Sequence, residues 1–329
     1  MEKTADIKSV LERLTNTNDL LDFHKPIEIG GDISKYLDYY GLNQSGLEFH
    51  FGKLTINNTA IVVQVFKPKR SRGTVVLLHG YLDHVGHLNH IIRHLNEHSY
   101  TVLTYDLQGH GLSEGKTASI QQFSDYVITL EKLIEIAKHE LPGPYFAVGH
   151  STGAAIVMDY VLRFPDHAFD KVVLVAPVIR SRFWFLTKIG FFINNMFPII
   201  RKVKRKFRNN SSNKRYLTFT RQDPLQSEEI PIDWLTVLIQ WNEAIQTFPA
   251  VHTQTCIIQG NQDTTVDWKY NINFIKQKFP FLKVVHINNG RHALFNESSL
   301  LLEQVCNSIS VFIEEQVECE RGNEKACRE

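Results

Sequence analysis

A serine stands between two glycines where the apolar pattern of the chain changes, in the pentapeptide Gly149-His150-Ser151-Thr152-Gly153. The four mostly apolar residues before it suit a strand, and the apolar residues after it suit the start of a helix. A Gly-x-Ser-x-Gly turn between a strand and a helix leaves no room for large flanking side chains and exposes the serine hydroxyl above the sheet. A tight turn without chemistry is the alternative, so the prediction of Ser151 as a nucleophile depends on its partners.

A serine hydroxyl is a poor nucleophile near neutral pH unless a positioned base takes its proton. Where a serine occupies this kind of turn, the acid and then the histidine follow it in the chain. Asp263 comes just after the strand-like run 255–260, and His292 lies in the loop after the run 283–287. We therefore predict His292 as the general base and Asp263 as the group that fixes its tautomer and stabilises the imidazolium.

Two nearby residues compete for these roles. Asp267 follows Asp263 by four positions, but it fits better as the N-cap of a helix that begins at Trp268. His286 falls inside a predicted strand, where we expect it to pack or to face solvent. The chain has 15 histidines, so position in the chain, and not residue type, decides for His292.

Acyl transfer also needs donors for the oxyanion of the tetrahedral intermediate, and two backbone amides usually serve. The amide of Thr152, directly after the nucleophile, is the first. The continuous apolar run 74–78 suits a buried parallel strand, and Gly80 just after it allows a close approach of the backbone to a ligand. We predict the amide of Tyr81 as the second donor. Five residues are expected to support the site: His79, Gly80, Gly149, His150 and Gly153.

No metal site is predicted from these loops. His79 and His84 could be ligands by residue type, but no third ligand stands at a metal-like spacing, and a serine triad needs no metal. The four cysteines also lack such a spacing. Cys256 and Cys306 lie in apolar patterns and are expected to be core thiols, whereas the two cysteines of the polar tail could pair or stay free.

Three motifs together resemble the monoacylglycerol lipase and lysophospholipase branch of the α/β-hydrolase superfamily, over roughly residues 45 to 315. They are His79-Gly80-x-x-Asp83-His84, the loop Asp106–Gly115 and the serine pentapeptide. The resemblance implies an α/β-hydrolase fold, with a mostly parallel central sheet, helices on both faces and an inserted helical cap. It implies a serine hydrolase that cleaves carboxylic esters of single-chain lipids without a cofactor. The chain departs from the family at Gln108, where Arg is usual.

Changes of hydrophobic period divide the chain into four parts. Residues 46–177 and 251–317 are predicted to form the α/β core, which begins with an antiparallel hairpin over 47–66. Residues 178–250 form an inserted cap, and residues 318–329 a polar tail. Residues 1–45 are an extension that we expect to pack on the core.

The predicted cap begins with a stretch, 183–200, that is dense in aromatic residues. It is about long enough to span a bilayer, but its polar residues and its place between two halves of one sheet argue against that. An apolar stretch beside a basic run is typical of an interfacial element, so we expect peripheral contact with an anionic membrane. The alternatives are an acyl tunnel lined by aromatics and a solvated basic loop. The basic residues concerned are Arg201, Lys202, Lys204, Arg205, Lys206 and Arg208.

Composition limits the function classes that remain. The net charge is +1, so no global field points to a nucleic acid partner. The first residues lack the apolar core of a signal peptide, which favours a cytoplasmic location with peripheral contact at the inner membrane face. The substrate could be a lysophospholipid or a monoacylglycerol. A short-chain carboxylesterase, a thioesterase and a non-catalytic binding module on the same fold are the alternatives.

Overall fold

The computed structural model describes residues 2–196 and 200–315 of the chain. The polar tail, with the predicted alternatives of pairing or free thiols for Cys319 and Cys327, lies outside the described residues. Cys256 and Cys306 are buried free thiols in the apolar interior, as their sequence pattern predicts.

Eight strands form one sheet in the order β1-β2-β4-β3-β5-β6-β9-β10. The hairpin β1–β2 and the pair β2–β4 are antiparallel, and all other pairs are parallel. The apolar runs that predict buried strands are covered on both faces, and every residue of β3 is buried. The strands are β1 (Leu47–Ile56), β2 (Thr59–Pro68), β3 (Thr74–Leu78), β4 (Thr101–Tyr105), β5 (Tyr145–His150), β6 (Phe169–Val175), β9 (Gln254–Gly260) and β10 (Leu282–Ile287). A separate antiparallel pair consists of β7 (Lys202–Lys204) and β8 (Glu229–Pro231).

Helices cover both faces of the sheet. One apolar layer joins the sheet to α4, α5, α8 and α9, and the other joins it to α1, α2, α3 and α10. None of the described helices has the length and apolar character that crossing a membrane requires. The helices are α1 (Glu2–Thr15), α2 (Gly31–Tyr40), α3 (Asn89–Glu97), α4 (Phe123–Glu140), α5 (Thr152–Arg163), α6 (Trp184–Met196), α7 (Lys214–Gln222), α8 (Ile232–Ala244), α9 (Trp268–Lys278) and α10 (Ser299–Glu314).

The insertion between β6 and β9 contains α6, β7, α7, β8 and α8. We keep the boundaries predicted from the sequence and call residues 178–250 the cap segment. The extension before β1 contributes α1 and α2, whose apolar faces pack into the second layer. Tyr40, at the end of α2, donates a hydrogen bond of 2.8 Å to Asp223 of the cap segment, so the extension contacts this segment as well as the sheet.

Candidate active site

The serine turn between β5 and α5 is strained and closely packed. Ser151 has φ 52° and ψ −110°. Residues other than glycine rarely adopt this backbone conformation, so the surrounding packing must enforce it. A Cβ on Gly149 would lie 2.6 Å from the Ala154 nitrogen, and one on Gly153 would lie 2.5 Å from the His79 carbonyl oxygen. The two glycines therefore permit a turn that points Ser151 away from the strand.

Loops that follow three different strands bring Ser151, His292 and Asp263 together. Nε2 of His292 lies 3.0 Å from Oγ of Ser151, and Nδ1 lies 2.7 Å from Oδ2 of Asp263. All three residues are buried. Because Nδ1–H donates to the carboxylate, Nε2 is left free to accept the serine proton, which is the arrangement that a general base requires.

Backbone amides and one amide side chain hold Asp263 in its ionised form. Its Oδ1 accepts hydrogen bonds from the amides of Thr265 at 2.7 Å and Val266 at 3.2 Å. Gln259 donates to Oδ2 at 3.2 Å, a contact that sequence reasoning did not anticipate. Burial alone would raise the pKa of Asp263, but the charge of His292, its hydrogen bond to the carboxylate and the two backbone amides outweigh burial and lower it. Asp263 is therefore a stable anionic partner for the ring of His292.

The two competing residues lie elsewhere and have other contacts. Asp267 accepts a hydrogen bond of 3.3 Å from the Tyr270 amide, which makes it the N-cap of α9. His286 lies exposed in β10, with its ring 5.9 Å from that of Trp268. In the described part of the chain, neither residue has a hydrogen bond or ion pair with Ser151 or His292.

The amides of Tyr81 and Thr152 lie in adjacent loops, after the neighbouring strands β3 and β5. A Cβ placed on Gly80 would lie 3.2 Å from Cβ of Ser151, so the backbone passes very close to the nucleophile. Across the described ranges, neither amide donates to another backbone carbonyl. The Tyr81 side chain is fixed by its hydroxyl, which donates to the Ala118 carbonyl at 2.7 Å. Both amides are thus available for an oxyanion beside Ser151.

His79 connects the loop after β3 to the loop after β4. Its Nδ1 donates to the Gly80 carbonyl at 2.8 Å, and its Nε2 accepts from the Leu107 amide at 2.9 Å. Burial lowers the pKa of His79 to about 3, so the ring is neutral and keeps this tautomer. His79 therefore has a positioning role, as a support for the Gly80–Tyr81 backbone.

His150 supports the triad from the other side. Its Nε2 donates to the backbone carbonyl of His292 at 2.9 Å. Burial, and then the nearby charge of His292, lower the pKa of His150 to about 4, so it is a neutral donor. The residue directly before Ser151 thereby holds the loop that carries His292.

His84 has neighbours that the sequence analysis did not anticipate. The sequence shows no third ligand at a metal-like spacing from His79 and His84, but in the structure the ligand atoms of His84, His87 and Asp223 lie within 4.8 Å of one another. The Gly86 amide donates to Nδ1 of His84 at 3.1 Å, so Nε2 carries a proton and donates it to Asp223 at 2.7 Å. Both histidines already have carboxylate partners in Asp223 and Asp83, and we assign no metal to these residues.

The same residues form an ion-pair network between the core and the cap segment. Besides its contact with His84, Asp223 lies 2.8 Å from Nε2 of His87, and Asp83 lies 2.7 Å from Nδ1 of His87. We call Asp83, His84, His87 and Asp223 the acid–histidine cluster. No sequence signal near His84 could identify Asp223, which is 139 residues away.

A cavity of about 580 Å³ opens beside the triad, between the core and the cap segment. Ser151, Thr152 and His292 lie in its wall together with apolar side chains such as Trp234 and Leu238. Six cations also line it, namely Arg182, Lys204, Arg205, Lys206, Arg208 and Arg221. Four of them belong to the basic run predicted to contact a membrane. Arg182 and Arg221 lie outside that run, and the sequence analysis did not predict that they line the site.

Comparison with known proteins gives a family and a fold. A sequence model of the family described as serine aminopeptidase, S33, matches residues 69–299. A monoacylglycerol lipase from Mycolicibacterium smegmatis is 33% identical over 128 residues, which cover 38% of this chain and 45% of that enzyme. A monoglyceride lipase homolog from Monkeypox virus is 23% identical over 266 residues, 78% of this chain and 95% of the viral protein. The segment shared with the Mycolicibacterium enzyme is thus less than half of that enzyme's length.

Solved structures confirm the α/β-hydrolase fold. A soluble variant of monoglyceride lipase from Saccharomyces cerevisiae, in complex with a substrate analog, superposes with a TM-score of 0.71 at 19% identity, covering 83% of this chain and 96% of that one. The monoacylglycerol lipase of Paleococcus ferrophilus gives a TM-score of 0.65 at 20% identity, with coverages of 76% and 96%. Because the family model matches well over half of the sequence, the chain belongs to the serine aminopeptidase, S33, family of α/β-hydrolases.

Proposed function

We propose that this protein is a serine hydrolase that cleaves carboxylic esters of single-chain lipids through an acyl-Ser151 intermediate. The observation that carries the proposal is the continuous relay from Asp263 to His292 to Ser151, with distances of 2.7 Å and 3.0 Å, in the wall of a cavity. The monoacylglycerol and monoglyceride lipases among its relatives support the substrate class.

In the first half of the reaction, Oγ of Ser151 attacks the ester carbonyl carbon while its proton passes to Nε2 of His292. The carbonyl oxygen becomes an oxyanion, which the amides of Tyr81 and Thr152 stabilise. The tetrahedral intermediate then collapses and the bond to the leaving alcohol breaks. His292 gives its proton to that alcohol, and the acyl group remains on Ser151.

In the second half, a water molecule attacks the acyl carbon and His292 takes one of its protons. The second oxyanion forms at the same two amides and collapses, which breaks the bond to Ser151. The proton returns from His292 to Oγ, and the fatty acid leaves. Asp263 stays ionised throughout, because its charge stabilises the imidazolium in both steps.

Release of fatty acid from monoacylglycerol and from lysophosphatidylcholine, measured in parallel for the wild type and Ser151→Ala, tests this function. We expect release that disappears in Ser151→Ala, while the circular dichroism spectrum and melting temperature stay close to wild type. Cleavage only of short-chain esters or thioesters would assign the chain to an esterase or thioesterase. Undiminished activity in Ser151→Ala would contradict the mechanism.

We further propose that the cap segment contacts the membrane surface from which such a lipid is drawn. Helix α6 exposes large apolar side chains, which in a water-exposed position favour insertion at the boundary between headgroups and acyl chains. They are Phe185, Leu186, Ile189, Phe192, Ile193 and Met196. Arg201 and Lys202, which do not line the cavity, are exposed close to the end of this helix and would attract anionic headgroups.

A further inference from the structure

The wall of the cavity beside Ser151 carries charge of one sign. Its lining includes six Arg or Lys residues and no Asp or Glu. The cap segment as a whole contains twelve Arg or Lys residues but only five Asp or Glu, so it has an excess of positive charge. A neutral lipid would gain nothing from such a wall, whereas an anionic group would be attracted to it.

Acids of the cap segment pair with cations that lie outside the cavity. Four of its five acids do so, in the pairs Glu229–Lys202, Glu243–Lys188, Asp233–Lys116 and Asp223–His87. None of the six cavity cations has an ion pair with an acid in the described part of the chain. The cations that line the cavity are therefore the ones without a contacting acid in the described part of the chain.

Arg205 is the one of these six cations that is partly buried, whereas the other five are exposed at the rim of the cavity. Its Nη1 donates to Oε1 of Gln226 at 2.5 Å and to the Ser227 carbonyl at 3.3 Å, and its guanidinium lies 4.5 Å from the centre of the Phe207 ring. All three partners are neutral. Burial lowers the pKa of Arg205, which means that the protein removes part of the water around a permanent cation without supplying a contacting anion. A bound anion would compensate for that loss of hydration.

Apolar residues complete the same cavity. Val178, Leu217, Ile230 and Leu235 line it together with Trp234 and Leu238. A ligand that fits both parts is an amphiphile with one acyl chain and an anionic group. The shape and charge of the wall thus select among the single-chain lipid esters by their headgroups.

We propose that Arg182, Lys204, Arg205, Lys206, Arg208 and Arg221 form a subsite for the substrate's phosphate headgroup. The preferred substrates are then lysophospholipids with a net negative charge, such as lysophosphatidate and lysophosphatidylglycerol. The inference rests on the proposed function, since it assigns a substrate class to the same catalytic serine. Zwitterionic lysophosphatidylcholine and neutral monoacylglycerol are poorer substrates, because one brings its own cation and the other has no anion.

The test is kcat/KM for lysophosphatidate, lysophosphatidylglycerol, lysophosphatidylcholine and monoacylglycerol with the same acyl chain, each presented in neutral detergent micelles. We expect the anionic lipids to exceed monoacylglycerol by about tenfold or more, since one charge-assisted hydrogen bond accounts for a factor of this size. Equal or faster turnover of monoacylglycerol would overturn the proposal but leave the hydrolase assignment intact. No Ser151-dependent release from any lipid would instead refute the proposed function.

Helix α7 provides a matched pair of variants. Arg221 lines the cavity, whereas Arg215 lies exposed on the same helix outside it. Arg221→Gln, alone and with Arg205→Gln, should reduce the preference for anionic over neutral lipid about tenfold, and Arg215→Gln should not change it. An equal effect of Arg215→Gln would place the charge effect at the membrane surface and overturn the proposed subsite. A preference for anionic lipid that is absent in neutral micelles and appears only on anionic vesicles would do the same.

Inhibition of the wild-type protein by a headgroup fragment tests the subsite without relying on the folding of a variant. Glycerol 3-phosphate carries the phosphate without the acyl chain, and it should inhibit hydrolysis of a neutral ester competitively. Glycerol at the same concentration should not inhibit, and inorganic phosphate should inhibit more weakly than glycerol 3-phosphate if the site recognises a lipid headgroup. Absence of inhibition by both phosphates would contradict an anion subsite in this cavity.

Discussion

At the scale of single residues, the proposed role of Ser151 as a nucleophile requires that Nδ1 of His292, and not Nε2, carries the proton. Asp263 decides this by accepting from Nδ1 at 2.7 Å. Asp263→Asn keeps the shape but offers an amide donor, which favours the tautomer with the proton on Nε2, where it cannot accept from serine. We expect kcat to fall by roughly three to four orders of magnitude with little change in melting temperature.

Asp267→Asn is the control for this prediction. It makes the same chemical change four residues later, at the N-cap of α9, where asparagine is also a good cap. We expect kcat of Asp267→Asn on a p-nitrophenyl ester to stay within about twofold of wild type, because residue 267 lies away from the reacting atoms. A comparable loss of kcat in both variants would mean that Asp263 acts through folding and not through His292.

The candidate triad could be predicted from the sequence because its residues follow the carboxyl ends of parallel strands, which meet at one edge of a sheet. Ser151 has a local signature, and order along the chain selects Asp263 and His292 from several acids and histidines. Gln259, which donates to Asp263, has no such signature, since a glutamine in a strand is not distinguished by type or spacing. Asp223 could not be predicted, because only the folded cap segment brings it to the core.

At the scale of elements, the acid–histidine cluster joins the loop after β3 to the end of α7. Burial alone would lower the pKa of His87, but the charge of Asp83 and the contacts with Asp223 outweigh burial and raise it to about 9. The folded-state pKa is thus above the value of about 6.5 for an unfolded chain. The stability that His87 contributes is fully present below about pH 6.5 and is lost as pH rises through about 9.

We therefore predict that His87→Ala is less stable than wild type near pH 6 and that the difference narrows as pH rises past about 9. Urea unfolding from pH 6 to pH 10 measures this difference in the free energy of unfolding. His286→Ala, at an exposed position in β10, is the control and should show no such trend. A difference for His87→Ala that is constant over this range would contradict a charged His87 in the cluster.

The proposed membrane contact depends on the exposed apolar side chains of helix α6. Changing Phe185 and Phe192 together to serine removes two large apolar groups from its exposed face. Burial of each is worth about 2 kcal/mol, so we expect binding to anionic vesicles to weaken at least tenfold. Val311→Ser, at an exposed apolar position on α10, should leave vesicle binding unchanged. Equal sedimentation of all three proteins with vesicles would contradict contact through α6.

At the scale of the whole molecule, the charge is nearly balanced but unevenly placed. The net charge of the whole chain is only +1, because acids elsewhere in the sequence balance the excess of cations in the cap segment. Composition alone therefore gave no reason to expect an anionic ligand. The sequence did predict the fold and the order of its elements, since strand and helix periods alternate along the core. It could not show that the basic run turns towards the catalytic cavity, because that depends on how β7 and α7 pack over the core.

This placement predicts a selective effect of salt. Raising the ionic strength from about 0.01 M to about 0.1 M shortens the screening length from about 30 Å to about 10 Å. We expect KM for lysophosphatidate to rise several-fold over this range, while KM for monoacylglycerol changes little. Parallel rises for both lipids would indicate an effect of salt on the micelles or the fold and would contradict attraction by the cavity cations.

The proposed reaction depends on Ser151 as the nucleophile. Intact-protein and peptide mass spectrometry after reaction with a fluorophosphonate bearing one alkyl chain measures the reactivity of its hydroxyl. We expect a single adduct on the peptide that contains Ser151, no adduct in Ser151→Ala, and strongly slowed labelling in His292→Ala. A folded wild-type protein that forms no adduct, or an equal adduct in Ser151→Ala, would contradict this role of Ser151.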